Sequence, residues 1–175
     1  PWEWFAIVKA MLETGTRPDF IVVDGAEGGT GAAPLEFSDH MGMPLQEGLR
    51  LVHNTLVGVN LRDQIRLGAS GKIVSAFDMA RAIALGADWC NSARGFMFAL
   101  GCILEALCEL LEAAGLQEPH AITPEHIMRR VSESQAVRLS SLIDTLAPGA
   151  LLGNDLSGLP DVYQSWSRAQ ASAFA

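Results

Sequence analysis

Three short stretches hold the residue types whose spacing could do chemistry: Asp24-Gly25-Ala26-Glu27-Gly28-Gly29-Thr30-Gly31, Gly68-Ala69-Ser70-Gly71-Lys72 and Ser92-Ala93-Arg94-Gly95. Glycine lets a backbone take positive φ and approach a flat or anionic ligand closely, with its N–H groups serving as donors. One such stretch is equally well explained as a tight turn. Three in succession, each at the end of an expected strand, favour a ligand site. In (β/α)8 barrels a phosphate is commonly held by the loops after the seventh and eighth strands, together with the N-terminus of a short extra helix. The second and third stretches fit those two places, with Phe96 opening the short helix. Gly71 and Gly95 open the backbone to the phosphate, and Arg94 adds a charge-assisted hydrogen bond unless it is an ordinary surface or ion-pairing arginine. Lys72 is expected to act more through its backbone than through its ammonium. A nucleoside-triphosphate loop of the G-x-x-x-x-G-K-[ST] kind is excluded, because Gly71-Lys72 is followed by Ile73. His40, His53, His120 and His126 are scattered without metal-site spacing and are read as structural, so no metal ligands are assigned.

The elements that must position these loops can be read from periodicity. Phe5, Val8 and Leu12 recur at helical spacing within Trp4–Glu13, and Gly15 is a stop. Phe20–Val23 is a continuous apolar run between Pro18-Asp19 and Asp24-Gly25, as expected of a parallel strand buried on both faces. Leu45, Leu49, Val52 and Leu56 form a helical stripe, and Ile65–Leu67 fits a second strand. Ser75-Ala76-Phe77-Asp78 resembles a capping box opening a helix that runs to Leu85, with Gly86 as its stop. Asp88–Ser92 fits a third strand, and a helical region follows from about Phe96. Thr123 onward suggests a short helix or two, then a weakly patterned tail from about Pro148. Strand, glycine loop and helix thus alternate, the βα pattern of a parallel sheet whose ligands lie at the carboxyl ends of the strands.

Composition narrows the classes. A chain of 175 residues, about half of them hydrophobic, can bury a substantial core. The net charge of −8 argues against a nucleic-acid partner. The apolar segment 95–104 is too short for a membrane span, so no membrane partner is expected. Cys90, Cys102 and Cys108 are too few for a disulfide framework and suit a reducing compartment; the expected location is the cytoplasm.

The run from Asp24-Gly25-Ala26-Glu27-Gly28-Gly29-Thr30-Gly31-Ala32-Ala33-Pro34, through Gly68–Lys72, to Gly86-Ala87-Asp88 and Gly101-Cys102-Ile103 resembles the FMN-binding synthase domain of glutamate synthase. It is closer still to the stand-alone glutamate-synthase-like flavoproteins, over roughly residues 4–147. That resemblance implies a (β/α)8 barrel with FMN at its carboxyl face, where reduced flavin passes a hydride to the imine of 2-oxoglutarate and ammonia to give glutamate. By the same resemblance Gly68, Ser70, Gly71, Lys72, Ser92, Ala93, Arg94 and Gly95 hold the flavin phosphate. Gly28, Gly29 and Thr30 belong to a substrate-side loop, and Glu27 is the side chain facing flavin or substrate. An oxo-acid would be repelled by Glu27, so gating, ammonia handling or pairing with a cation absent from this chain suits it better.

Two departures from the family shape the expectation. Only three βα units are legible, beginning at the helix before what would be the sixth strand, so the fold expected is the C-terminal part of a (β/α)8 TIM-type barrel with a helical C-terminal extension. Residues 1–115 form the half-barrel with the FMN-phosphate loops, and residues 116–175 form the extension and tail. The flavin ring and much of the oxo-acid site then depend on a missing N-terminal half-barrel or on self-association through the strand at 20–23, and the isolated chain is expected to be neither active nor a stable monomer. Pro1 also leaves no N-terminal cysteine nucleophile for releasing ammonia from glutamine. The second departure is at the cysteines. The family's Cys-x5-Cys-x4-Cys loop binds a three-iron cluster; Cys102 and Cys108 keep the first spacing, but the third cysteine is absent. Leu104, Leu107, Cys108 and Leu111 share a helical face, so both thiols are read as buried core groups and no iron–sulfur cluster is expected. Two other readings stay open: a phosphate-binding barrel enzyme of another class, and a degenerate half-barrel kept as an assembly module.

Overall fold

The structure, a computed structural model, describes residues 1–27, 29, 33–37, 40–153 and 155–173, with the backbone alone for 94–100. The chain divides into two compact units, one of residues 1–21, 51–66 and 144–175, the other of residues 22–50 and 67–143. Helix α1 (Trp2–Thr14) ends at Gly15, whose φ of 69° lets its N–H return to the Met11 carbonyl. Strands β1 (Phe20–Asp24), β2 (Arg66–Ser70) and β3 (Trp89–Asn91) form a parallel sheet in the order β1-β2-β3. Between them run helices α2 (Leu45–Gly58) and α3 (Ala76–Ala84), and α4 (Ala93–Ala113) follows β3. This is the repeating βα arrangement of part of a TIM-type barrel. Beyond it lies an extension of short 3-10 helices at Pro119–Ala121, Leu139–Leu142 and Asp161–Arg168, interrupted by an antiparallel hairpin of β4 (Met128–Arg130) and β5 (Ala136–Arg138). The hairpin replaces one of the helices expected after Thr123.

The first unit is held by aromatic packing. Phe5 and Val8 of α1 are fully buried, and the Phe5 ring meets Trp166 edge-on at 5.6 Å and Tyr163 at 6.1 Å. Lys9 lays its stem along the same surface, its Nζ 5.2 Å from the Trp166 ring centre and donating to the Ala169 carbonyl at 2.7 Å. Leu56 at the end of α2 is fully buried. Gly58 beside it admits Leu151, whose side chain would lie 2.8 Å from any Cβ there.

The second unit buries Leu49 of α2, Leu67 and Ala69 of β2, Met79 and Ala80 of α3, and Leu107 and Leu111 of α4. Gly68 and Trp89 are register partners, and a Cβ on Gly68 would lie 2.6 Å from the Trp89 ring. Gly68, Ala69 and Ser70 are therefore strand residues, and the loop after β2 starts only at Gly71. Two further expectations are corrected here. Strand β1 is the sheet edge, and Phe20 and Val22 are 58% and 39% exposed, so it is not buried on both faces. In α4 the inward stripe contains Leu107 and Leu111, whereas Leu104, Cys102 and Cys108 are exposed. A 21-residue helix with no break carries both cysteines, which turns them away from each other by about 600° of cumulative rotation.

The capping box at α3 is present as expected. Ser75 Oγ accepts from the Asp78 N–H at 3.2 Å, while Asp78 Oδ2 accepts from the Ser75 N–H at 3.0 Å and from Ser75 Oγ at 2.8 Å. Partial burial pushes the Asp78 carboxyl pKa up, but the Ser75 hydroxyl, the Ser75 and Val74 N–H groups and Arg81 together hold it below the ordinary 3.8. A carboxylate whose pKa is lower in the folded state contributes stability above its unfolded pKa and loses it as the pH falls through the folded value. Asp78→Asn is expected to cost roughly 1 kcal/mol at pH 7, typical of a lost helix cap. Urea denaturation should show that difference vanish once the pH drops well below 3.8; a difference independent of pH would exclude the charged cap as its source.

Candidate active site at the carboxyl ends of the strands

The site begins where β1 stops. The Gly25 N–H donates to the Ser70 carbonyl at 2.8 Å, so the chain stays paired one residue past the strand before it turns away. Asp24 then closes an Asx turn, its Oδ1 accepting from the Ala26 N–H at 2.9 Å, and its Oδ2 lies 3.3 Å from the Ser70 hydroxyl. Beside it the chain reverses through two consecutive residues in the left-handed region, Gly71 at φ 84° and Lys72 at φ 60°. Only glycine fits at position 71, because a Cβ would stand 2.7 Å from Asp24 Oδ1 and 2.9 Å from the Gly25 nitrogen. Position 72 tolerates a side chain at some conformational cost.

That reversal aims Lys72 at Glu27. Its Nζ lies 2.9 Å from Glu27 Oε1, and Glu27 is itself left-handed at φ 48°. The cation for Glu27 is therefore not absent but supplied by the next loop, through the ammonium of a residue expected to act more through its backbone. Glu27 is the more sheltered partner, 18% exposed against 40% for Lys72. With this exposure the pair orders the two loops more than it stabilises the fold. Glu27, Lys72 and Ile73 border a cavity of about 300 Å³ that continues between Leu45 of α2 and Asp78 and Arg81 of α3. Gly29 is left-handed at φ 116°, and a Cβ there would meet Ala33 at 2.5 Å. Gly28 and Thr30 lie outside the described residues.

The third loop joins the second through one hydrogen bond, from Ser92 Oγ to the Ile73 carbonyl at 2.7 Å. Ser92 is the N-cap residue of α4, yet its side chain makes no capping bond to the helix. The first-turn N–H groups of α4 are thereby left without a side-chain cap, next to the Gly71–Lys72 reversal, where the helix dipole is positive. The helix opens at Ala93 rather than Phe96, so Ala93, Arg94 and Gly95 form its first turn instead of a loop. For Arg94 and Gly95 the described part is the backbone. Cys90, one residue before the end of β3, is no candidate nucleophile, since burial raises its thiol pKa to about 11.

Among the residues assigned from sequence, Glu27, Ser70, Gly71, Lys72, Ser92 and Ala93 come together at the carboxyl ends of the strands. Gly68 sits inside the sheet, against Trp89. Asp24 and Arg81 were not singled out. Asp24 could have been found as an acid closing a strand directly before glycine, a frequent Asx-turn signal. Arg81 offers no such cue, because its place depends on how α3 packs. Three of the histidines have hydrogen-bond partners of their own: Arg62 Nε donates to His53 Nδ1 at 3.1 Å, His120 Nε2 lies 3.1 Å from the Asp88 carbonyl, and the Thr123 N–H donates to His126 Nδ1 at 3.1 Å. Among the described residues no three or more His, Cys, Asp or Glu side chains converge as metal ligands would, and no helix is long and apolar enough to cross a membrane.

The family profile described as "Conserved region in glutamate synthase" matches residues 5–115. The chain is 31% identical over 184 aligned positions to the glutamate synthase large subunit-like protein YerD of Bacillus subtilis, covering 82% of this chain and 35% of that protein. It is 40% identical over 126 positions to the archaeal glutamate synthase [NADPH] of Methanocaldococcus jannaschii, covering 71% of this chain and 24% of that one. Ferredoxin-dependent glutamate synthase 1 of Arabidopsis thaliana is 37% identical over 90 positions, 51% of this chain and 6% of its own length. The chain therefore spans about a third or less of these relatives. With a matched region that runs from α1 through the whole three-stranded sheet to the end of α4, this chain belongs to the glutamate synthase family.

Proposed function

We propose that the chain carries the flavin-phosphate site of an FMN-dependent oxidoreductase of glutamate synthase type, which reduces the imine of 2-oxoglutarate and ammonia to glutamate. The observation that carries this reading is the Ser92–Ile73 hydrogen bond, which sets the uncapped start of α4 beside the left-handed turn at Gly71 and Lys72. A helix start without a side-chain cap, with an arginine in its first turn, fits a phosphate dianion. When bound, FMN supplies the redox chemistry. Gly71, Lys72, Ser92, Ala93, Arg94 and Gly95 hold its phosphate in this reading, and Ser70 anchors the end of β2. Glu27, fixed by Lys72, borders the substrate side with Gly28, Gly29 and Thr30, where it can hold or pass a proton. Residues 1–115 form the flavin-bearing part and 116–175 the extension. Three parallel strands do not close a barrel, so the contacts to the flavin ring and the oxo-acid come from another segment or from a second copy of the chain.

Flavin titration tests the reading. Arg94→Ala removes a charge-assisted hydrogen bond worth roughly 1.5–3 kcal/mol and is expected to weaken FMN at least tenfold. Riboflavin, which lacks the phosphate, should bind the variant as it binds the parent chain. An equal loss for both ligands, or no loss for FMN, would remove the phosphate assignment.

A further inference from the structure

A second basic site adjoins the strand-end cavity, in the groove where α2 and α3 face the β4–β5 hairpin, and Gln46, Arg81 and Arg129 line both. A cavity of about 180 Å³ is lined there by Gln46, Arg81, Arg129 and Arg130, with Ile127 and Leu139 as its apolar floor. Among the described residues no carboxylate lines it. The chain has twelve Lys and Arg against twenty Asp and Glu, so three arginines around one small acid-free cavity stand against the general charge balance. A fourth, Arg50, lines an adjoining cavity of about 100 Å³ that also contains Gln46 and Arg129. Acids of the adjoining strand-end cavity are already engaged: Asp78 is held by Ser75 with Arg81 acting on its charge, and Glu27 is held by Lys72. Glu47 lines the Arg50 cavity but not the central one.

Arginines that line one cavity raise its positive potential, which an anion seated there would offset. Their planar forks suit the oxygens of carboxylate or phosphate, and the Gln46 amide adds a neutral donor. The positions are also built rather than incidental. Arg81 is half-buried on α3, and Ile127 and Leu139, which bracket the hairpin, are buried. The Leu139 N–H closes onto the Ile127 carbonyl at 2.8 Å, and Arg130 Nη1 donates to the Glu133 carbonyl at 2.8 Å, holding the hairpin tip. From this cluster we infer that the groove binds a small oxyanion, a phosphate or carboxylate group, between Arg81 and Arg129. The inference does not depend on the flavin site, which uses Arg94 and the strand-end loops.

The test is isothermal titration of the full chain with inorganic phosphate and, separately, with succinate, at an ionic strength held constant with potassium chloride. At least one of the two should bind saturably, and comparing them shows whether the groove prefers phosphate or carboxylate. Arg129→Gln, at an exposed position, and Arg81→Gln should each weaken that binding at least fivefold. Arg138→Gln on the same hairpin, whose parent side chain pairs with Glu125 at 2.9 Å, should leave it unchanged, and Arg94→Ala should remove only phosphate held at the strand-end loops, leaving the binding that Arg129→Gln weakens. Should Arg81→Gln disturb α3, seen by circular dichroism, Arg129→Gln decides alone. No saturable binding of either anion, or binding weakened by Arg94→Ala and not by Arg129→Gln, overturns the inference.

Discussion

Gly71→Ala is expected to destabilise the chain by roughly 2–4 kcal/mol, with left-handed strain and overpacking contributing together. The residue sits at φ 84°, a region that costs a residue with a Cβ, and the added carbon would lie within 3 Å of both Asp24 Oδ1 and the Gly25 nitrogen. Neither neighbour can yield freely. Gly25 is bonded to the Ser70 carbonyl, and Asp24 holds the Ala26 N–H. Relief must come from displacing the 71–74 turn, and that shift carries the Ile73 carbonyl away from Ser92 and Lys72 away from Glu27. Urea denaturation should therefore report lost stability while flavin titration reports weaker FMN binding, the two falling together. A variant within about 0.5 kcal/mol of the parent chain, the usual range for a surface change, would mean that the turn has room this geometry denies.

A still larger effect is expected in the first unit. Phe5→Ala should cost roughly 3–5 kcal/mol, because it removes a fully buried ring and leaves a void that the surrounding aromatics cannot close. Trp166 and Tyr163 both rest on that ring, and they belong to a 3-10 helix of eight residues, a form whose hydrogen-bond geometry is poorer than that of an α-helix. Since the whole stability of a domain is commonly about 5–15 kcal/mol, the variant should melt far earlier, with the near-ultraviolet signal of Trp166 lost first. Trp2→Ala on the same helix is the comparison, at a side chain 55% exposed, and should change the melt little. Similar melting of the two variants would show that α1 is not anchored through Phe5.

The sequence carried the sheet and its helices because their signals are local. The spacing of Phe5 and Val8, the stripe through Leu49 and Leu56, and the Ser75–Asp78 cap each depend on a few neighbouring residues, and each is observed. What failed to show depends on distant partners. The face of α4 that turns inward is set by α3 and not by its own pattern, so Leu104 and Cys108 looked as suited to the core as Leu107 and Leu111. The β4–β5 hairpin has strands of only three residues with almost every side chain exposed, and so lacks the alternation that marks a strand. At the site, the glycines at 25, 29 and 71 were legible as backbone requirements. The Lys72–Glu27 pair joins residues 45 positions apart and emerges only when β1 and β2 lie side by side.

The spacing along the chain of the three strands also sets an order of assembly. β2 and β3 meet across 21 residues, as at Leu67 and Asp88, whereas Asp24 and Ser70 are brought together from 46 residues apart. Loop-closure entropy rises by about 0.6 kcal/mol for each doubling of length, so β2-α3-β3 closes more readily and β1 joins a surface already formed. The turn at 71–74 and the start of α4 lie within or next to the early β2-α3-β3 piece, while Glu27 arrives with the late strand. In the site proposed above, the half that would hold the phosphate then forms first, and Glu27 is positioned last.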